Sequence, residues 1–128
     1  METEMQIGSV IRVWHGFYFH KGVVSALFPQ VMVVHNSKAR GRVVEEPLHL
    51  FAEGGVVSVE WSPFAHAAHA VVARARACLG RLYDVGKFNC EHHTEYAKGN
   101  TVESPQLTGW VVFGLVASAL LIAAAAAR

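Results

Sequence analysis

A single cysteine segment and a few histidines carry most of the reactive chemistry in this 128-residue chain. Cys90 lies in the segment 88–99, between Asn89 and Glu91, with His92 and His93 directly after it. The segment reads as a short helix. Asn89 suits its N-cap, because the side-chain oxygen accepts a hydrogen bond from a backbone N–H of the first turn. Glu91 fits the positive end of the helix dipole, Lys98 the negative end, and Gly99 the stop. Cys90 therefore stands where N–H groups point outward, a setting expected to lower a thiol pKa and favour the nucleophilic thiolate. The same residue also fits an inert buried thiol, since free cysteine is among the most buried residue types. A nucleophile needs a base, so the question becomes which histidines the fold can bring to it.

Two histidines stand in extended segments. Residues 9–14 and 18–26 read as strands rich in β-branched residues, separated by a turn at His15 and Gly16. By period two, Tyr18, His20, Gly22 and Val24 share one face. Phe28, Pro29 and Gln30 break this run, and residues 31–35 form an almost wholly apolar third strand, expected to be central, with Val31, Val33 and His35 on one face. Antiparallel pairing of these strands can bring His20 and His35 together. A helix packed on that face can then present Cys90 to His20. The arrangement would supply a nucleophile, a general base and a group that orients the base.

The remaining elements have to hold these residues in place. Residues 36–41 form a basic turn. Residues 42–45 and 48–51 are short segments without decisive periodicity, split by Pro47, and 56–61 is a further strand after the Gly54–Gly55 turn. A helix follows, with Ser62 as cap, Pro63 at its first position and Gly80 at its end. Phe64, Ala68, Val71, Val72, Ala75, Cys78 and Leu79 lie on one apolar stripe, which assigns Cys78 to the core. His66 and His69 fall on the solvated side. Strands first and helices after predict an α+β fold, an antiparallel sheet packed on helices.

Composition narrows the function classes. The formal net charge is +1, and no basic run with interleaved aromatics appears, so nucleic acid is not an expected partner. Two cysteines make no disulfide framework and suit a reducing compartment. The acidic start, residues 1–6, does not read as a secretory signal. A metal site on Cys90, His92 and His93 is disfavoured, because adjacent helical residues point about 100° apart. Residues 110–127 contain no charge. As a helix this run would be about 27 Å long, close to a hydrocarbon core of about 30 Å. Trp110 would sit at the interface. A membrane anchor is the favoured reading beside a buried or interfacial helix. Gly114 and Ser118 form a small-xxx-small pair, a cue for weak self-association. The expected layout is a domain over 1–100, a linker over 101–109 and an anchoring helix over 110–127.

Several boxes, in order, resemble the lecithin:retinol acyltransferase-like family, whose best-known branch is the H-Ras-like suppressor phospholipases and acyltransferases. Gly8-Ser9-Val10-Ile11 is similar to the family's opening Gly-Asp-Leu-Ile, and Tyr18-Phe19-His20-Lys21-Gly22-Val23 to its H-box. Val33-Val34-His35 resembles its second histidine strand, and Asn89-Cys90-Glu91-His92 matches its Asn-Cys-Glu-His signature. Ala75, Leu79, Gly80 and Tyr83 match the run before the cysteine, and Ser104-Pro105-Gln106 before an apolar tail is also similar.

The resemblance implies a circularly permuted papain-like fold, of the kind shared with peptidoglycan-cleaving cysteine peptidases. It implies Cys90 as nucleophile, His20 as general base and His35 as orienting group, with neither metal nor cofactor. The implied substrate is a glycerophospholipid ester, cleaved through a thioester acyl-enzyme. The acyl chain would pass to water, to an amine or to a lysophospholipid. The implied location is a membrane, with the domain on the cytosolic side of a single C-terminal anchor. Ser9 replaces the family's early acid, His15 a frequent arginine and His93 an aromatic, and the His20–His35 connection is somewhat longer. Certain picornaviral non-structural proteins share the H-box and Asn-Cys boxes. Likeness to them implies a tail-anchored interaction module acting in replication, with or without catalysis.

Overall fold

The computed structural model describes residues 4–100. Its strands are β1 (Val10–Trp14), β2 (Phe19–Ala26), β3 (Met32–Ser37), β4 (Arg42–Pro47) and β5 (Val57–Trp61). Its helices are α1 (Leu48–Ala52), α2 (Ala68–Ala77) and α3 (Cys90–Lys98), with one 3-10 turn at Ala65–Ala67. The five strands form one antiparallel sheet in the order β4-β3-β2-β1-β5. The architecture is α+β, as the change from period two to helical spacing predicts. The expected linker and anchoring helix, with Trp110, Gly114 and Ser118, lie outside the described residues. Among the described residues no helix is long and apolar enough to cross a membrane.

Strand alternation divides the core into two layers. One face of the sheet carries Val10, Val23, Val34 and Val43, which pack with Val71 and Ala75 of α2, Ala97 of α3 and Phe88. The other carries Ile11, Val13, Val24 and Val33, which close around Phe51 of α1. In antiparallel pairs, residues directly opposite one another share a face. The Val13–His20 and Gly22–His35 pairs therefore put both imidazoles on the Phe51 side. This corrects one expectation. The cysteine helix does not pack on the histidine face but on the opposite one, where the larger apolar cluster is available to cover it.

The third strand is interior as expected, since β3 lies between β2 and β4 and is almost continuously buried. Two further details differ from the pattern reading. Residues 48–51, ambiguous by period, become helical because that turn drops Phe51 into the core, where it is 1% exposed. The helix expected from Ser62 starts later. Ser62 Oγ is hydrogen bonded to Ser9 Oγ at 2.8 Å instead of capping, and Pro63 packs against Gly8, where an added Cβ would meet its ring at 2.8 Å. Phe64 lies before α2 and Leu79 beyond its end, and both are exposed, while Val71, Val72, Ala75 and Cys78 stay buried.

The α3 start is built as its residues suggest. Asn89 Oδ1 accepts from the backbone N–H groups of Glu91 at 2.9 Å and His92 at 3.1 Å. His92 Nδ1 accepts in return from the Asn89 N–H, closing a capping box in which histidine takes the usual Glu or Gln position. Gly99 ends the helix at φ +95°, a conformation that glycine adopts without steric cost.

Candidate active site

β2 and β3 hold the two histidines side by side. Gly22 stands directly opposite His35. A Cβ there would lie 2.6 Å from Val33 Cγ1, 2.9 Å from Phe51 Cε2 and 3.0 Å from His35 Cβ, so only glycine lets these groups close over the strand. The Phe51 ring then packs against both imidazoles, with centroids 5.0 Å from His20 and 5.1 Å from His35. His20 Nε2 lies 2.8 Å from His35 Nδ1. His35 Nε2 continues to Glu46 Oε1 at 2.7 Å, and Arg40 donates to Glu46 Oε2 at 3.2 Å. These groups wall a cleft of about 510 Å³ that also includes His15 and Tyr18.

Burial governs the protonation of this row. It lowers the His20 pKa to about 3, with His35 and then His15 adding to the effect. Burial also lowers the His35 pKa, although the hydrogen bond and charge of Glu46 act the other way. Both imidazoles are therefore neutral near pH 7, the state in which a histidine can accept a proton.

Cys90 approaches the same place from behind the sheet. Val24 exchanges backbone hydrogen bonds with Gly8 and Ser9, so alternate residues of β2, Phe19 and Lys21 among them, direct their backbone groups toward β3. The β2–β3 pairing stops at Gly22 and His35. Past that point the thiol stands against β2. It donates weakly to the Phe19 carbonyl at 3.8 Å, and the Lys21 backbone N–H points at the sulfur. The two contacts flank His20 in the chain. The helix start is pinned there by Lys21, whose ammonium lies 3.2 Å from the buried Glu91 carboxylate and 2.9 Å from Glu60.

The thiol itself departs from expectation. Its pKa is raised to about 11, because burial outweighs the backbone N–H groups of Lys21 and Glu91 that favour thiolate, and the Glu91 carboxylate adds to the rise. A helix start lowers a thiol pKa only while the sulfur keeps enough solvent, and Cys90 is 3% exposed. Among the described residues no hydrogen bond joins Cys90 to His20 or His35, and the sulfur is not part of the cleft wall.

The fold thus brings His20 and His35 into contact and sets Cys90 against the backbone around His20. Cys78 stays in the apolar core, with its thiol pKa raised by burial. His92 serves the capping box and His93 reaches the Ala75 carbonyl at 3.0 Å, so the two diverge. Glu46 and Arg40 are the site residues that pattern reading missed. Their signal was faint: consecutive Glu45 and Glu46 in a strand must serve opposite faces. Glu45 meets Ser25 and Arg76 on the helix side, and Glu46 meets His35.

No family model matches this chain. No curated protein matches it either.

Proposed function

We propose that this chain is a membrane-tethered thiol acyltransferase and phospholipase acting on glycerophospholipid esters. On this reading the fold is a permuted papain-like one, and the apolar run over 110–127 anchors it with the domain facing the cytosol. Cys90 is the nucleophile, His20 the general base and His35 the group that orients it. The reading is carried by one observation: the 2.8 Å contact between His20 and His35, with the thiol of a helix start set against β2 beside His20.

The reaction begins with rotation of the thiol off the Phe19 carbonyl toward the His20 ring. His20 takes the thiol proton as the sulfur attacks the ester carbonyl carbon. The tetrahedral oxyanion is stabilised by the Cys90 backbone N–H at the α3 start, since the next N–H groups are held by Asn89. Its collapse breaks the carbon–oxygen bond, and the proton on His20 passes to the leaving alcohol. A thioester remains. Water, an amine or a lysophospholipid hydroxyl then attacks it, gives its proton to His20 and frees the thiol. Burial of Cys90 is consistent with activation only after a lipid chain displaces the sulfur from its resting contact.

The test is incubation of the full chain with vesicles of acyl-labelled phosphatidylcholine. Labelled fatty acid and a mass increment on the Cys90 peptide are expected. Cys90→Ala should lower release by more than about 10³-fold, the scale lost when a nucleophile is removed. Wild type that yields neither thioester nor fatty acid sinks the reading. The raised thiol pKa and the sulfur's absence from the cleft wall favour a second reading, a tail-anchored interaction module in which the boxes serve packing. It predicts equal lipid turnover by wild type and Cys90→Ala.

A further inference from the structure

His35 can orient His20 only if something fixes His35. The neighbouring hydrogen bonds identify that group and the direction in which it acts. Glu46 lies on β4, opposite Val33, and its carboxylate meets His35 Nε2 at 2.7 Å with 12% of the side chain exposed. A carboxylate accepts and does not donate, so His35 must carry its proton on Nε2. A neutral imidazole has one N–H, which leaves His35 Nδ1 as an acceptor. At 2.8 Å its only fitting partner on His20 is an Nε2–H donor. The lone pair of His20 is thereby assigned to Nδ1.

We propose that Glu46 is a positioning residue that sets the tautomer of both imidazoles, so that Nδ1 is the basic nitrogen of His20. Arg40, 3.2 Å from the second Glu46 oxygen, holds the carboxylate in that orientation. The assignment deepens the thiol-acyltransfer reading and rests on it for its chemical purpose. When Nδ1 takes the thiol proton, the new imidazolium keeps its Nε2–H on His35, and the Glu46 carboxylate faces the added charge from the far side. Other groups around the pair do not share this geometry. Glu53 lies 3.8 Å from His15, and His93 bonds the α2 backbone on the opposite face. Glu45, the adjacent acid, is engaged by Arg76.

The test uses the full chain in detergent micelles, with ¹⁵N-labelled histidine and lipid turnover measured on the same samples. At neutral pH wild type should show His20 and His35 each protonated on Nε2. In Glu46→Leu both rings should populate mixed tautomers. In the near-isosteric Glu46→Gln, whose amide donates as well as accepts, the His35 signal should split between the two forms. Turnover should fall on the order of 10²-fold in kcat with KM little changed, since binding contacts are kept. Arg40→Gln should give a smaller loss of the same kind. A folded Glu46→Leu or Glu46→Gln with wild-type tautomers overturns the assignment, whether or not the chain cleaves lipid. Altered tautomers in a chain whose wild type turns over no lipid would support the assignment and remove the acyltransfer reading instead.

Discussion

The two faces of the sheet hold the same residue types and use them for opposite ends. On the α1 face, His20, His35 and Glu46 stand in a row at the wall of a cleft. On the α3 face, His92, His93 and Glu91 are equally buried but are spent on structure. His92 closes a helix cap, His93 bonds the α2 backbone, and Glu91 pairs with Lys21. A histidine whose partners are another histidine and an acid stays available for proton transfer. A histidine whose partners are backbone groups is a fastener. Residue type and burial do not separate the two roles, whereas the identity of the hydrogen-bond partner does.

Truncation at the two cores breaks the comparison most strongly. Phe51→Ala should cost about 3–5 kcal/mol of stability, as expected for a fully buried aromatic. On the proposed reading it should also reduce lipid turnover, because the ring supports both imidazoles. Val71→Ala, on the α3 face, should lower stability without a matching loss of turnover under conditions where the variant stays folded. Denaturant melts and rate measurements on both variants check this. Equal effects on turnover would mean that the faces are not functionally distinct.

Acid stability sharpens the same contrast. Burial lowers the His93 pKa to about 4, from an ordinary 6.5. The unfolded chain thus binds this proton first as pH falls. Stability is fully present above about pH 6.5 and declines on the way to pH 4, by on the order of 3 kcal/mol for this group. His93→Leu should flatten that decline and leave the contribution of the same sign from His20, whose pKa lies near 3. Melts at pH 7 and pH 5 read the difference. An unchanged pH slope in the variant would show that His93 is not held neutral by the fold.

The smallest expected effect is at the helix start. Asn89→Ala removes the one oxygen that accepts from both the Glu91 and His92 N–H groups and should cost about 1 kcal/mol. Because the cap also fixes where Cys90 begins the helix, turnover should fall somewhat further than stability alone accounts for. Asn89→Asp, which keeps the oxygen, should restore most of both. Failure of that rescue would separate the cap from the thiol's placement.

Local pattern specified much of this molecule. Alternation located β1, β2 and β5 to within a residue, ended β3 two residues early and left β4 undecided; a capping asparagine with a closing glycine bounded α3, because such signals act over one or two turns of chain. Pairing of His20 with His35 was likewise legible, since both lie on the same alternating face. Tertiary structure decided the rest. The face that α3 covers depends on which side of the sheet offers the larger apolar cluster, a sum over Val10, Val23, Val34, Val43 and Phe88 that no single segment contains. The thiol pKa reversed its expected direction because the helix start is a local feature, whereas desolvation is set by everything packed around the sulfur. Glu46 entered the site only when β4 paired with β3 and placed one carboxylate, and not its neighbour, beside His35.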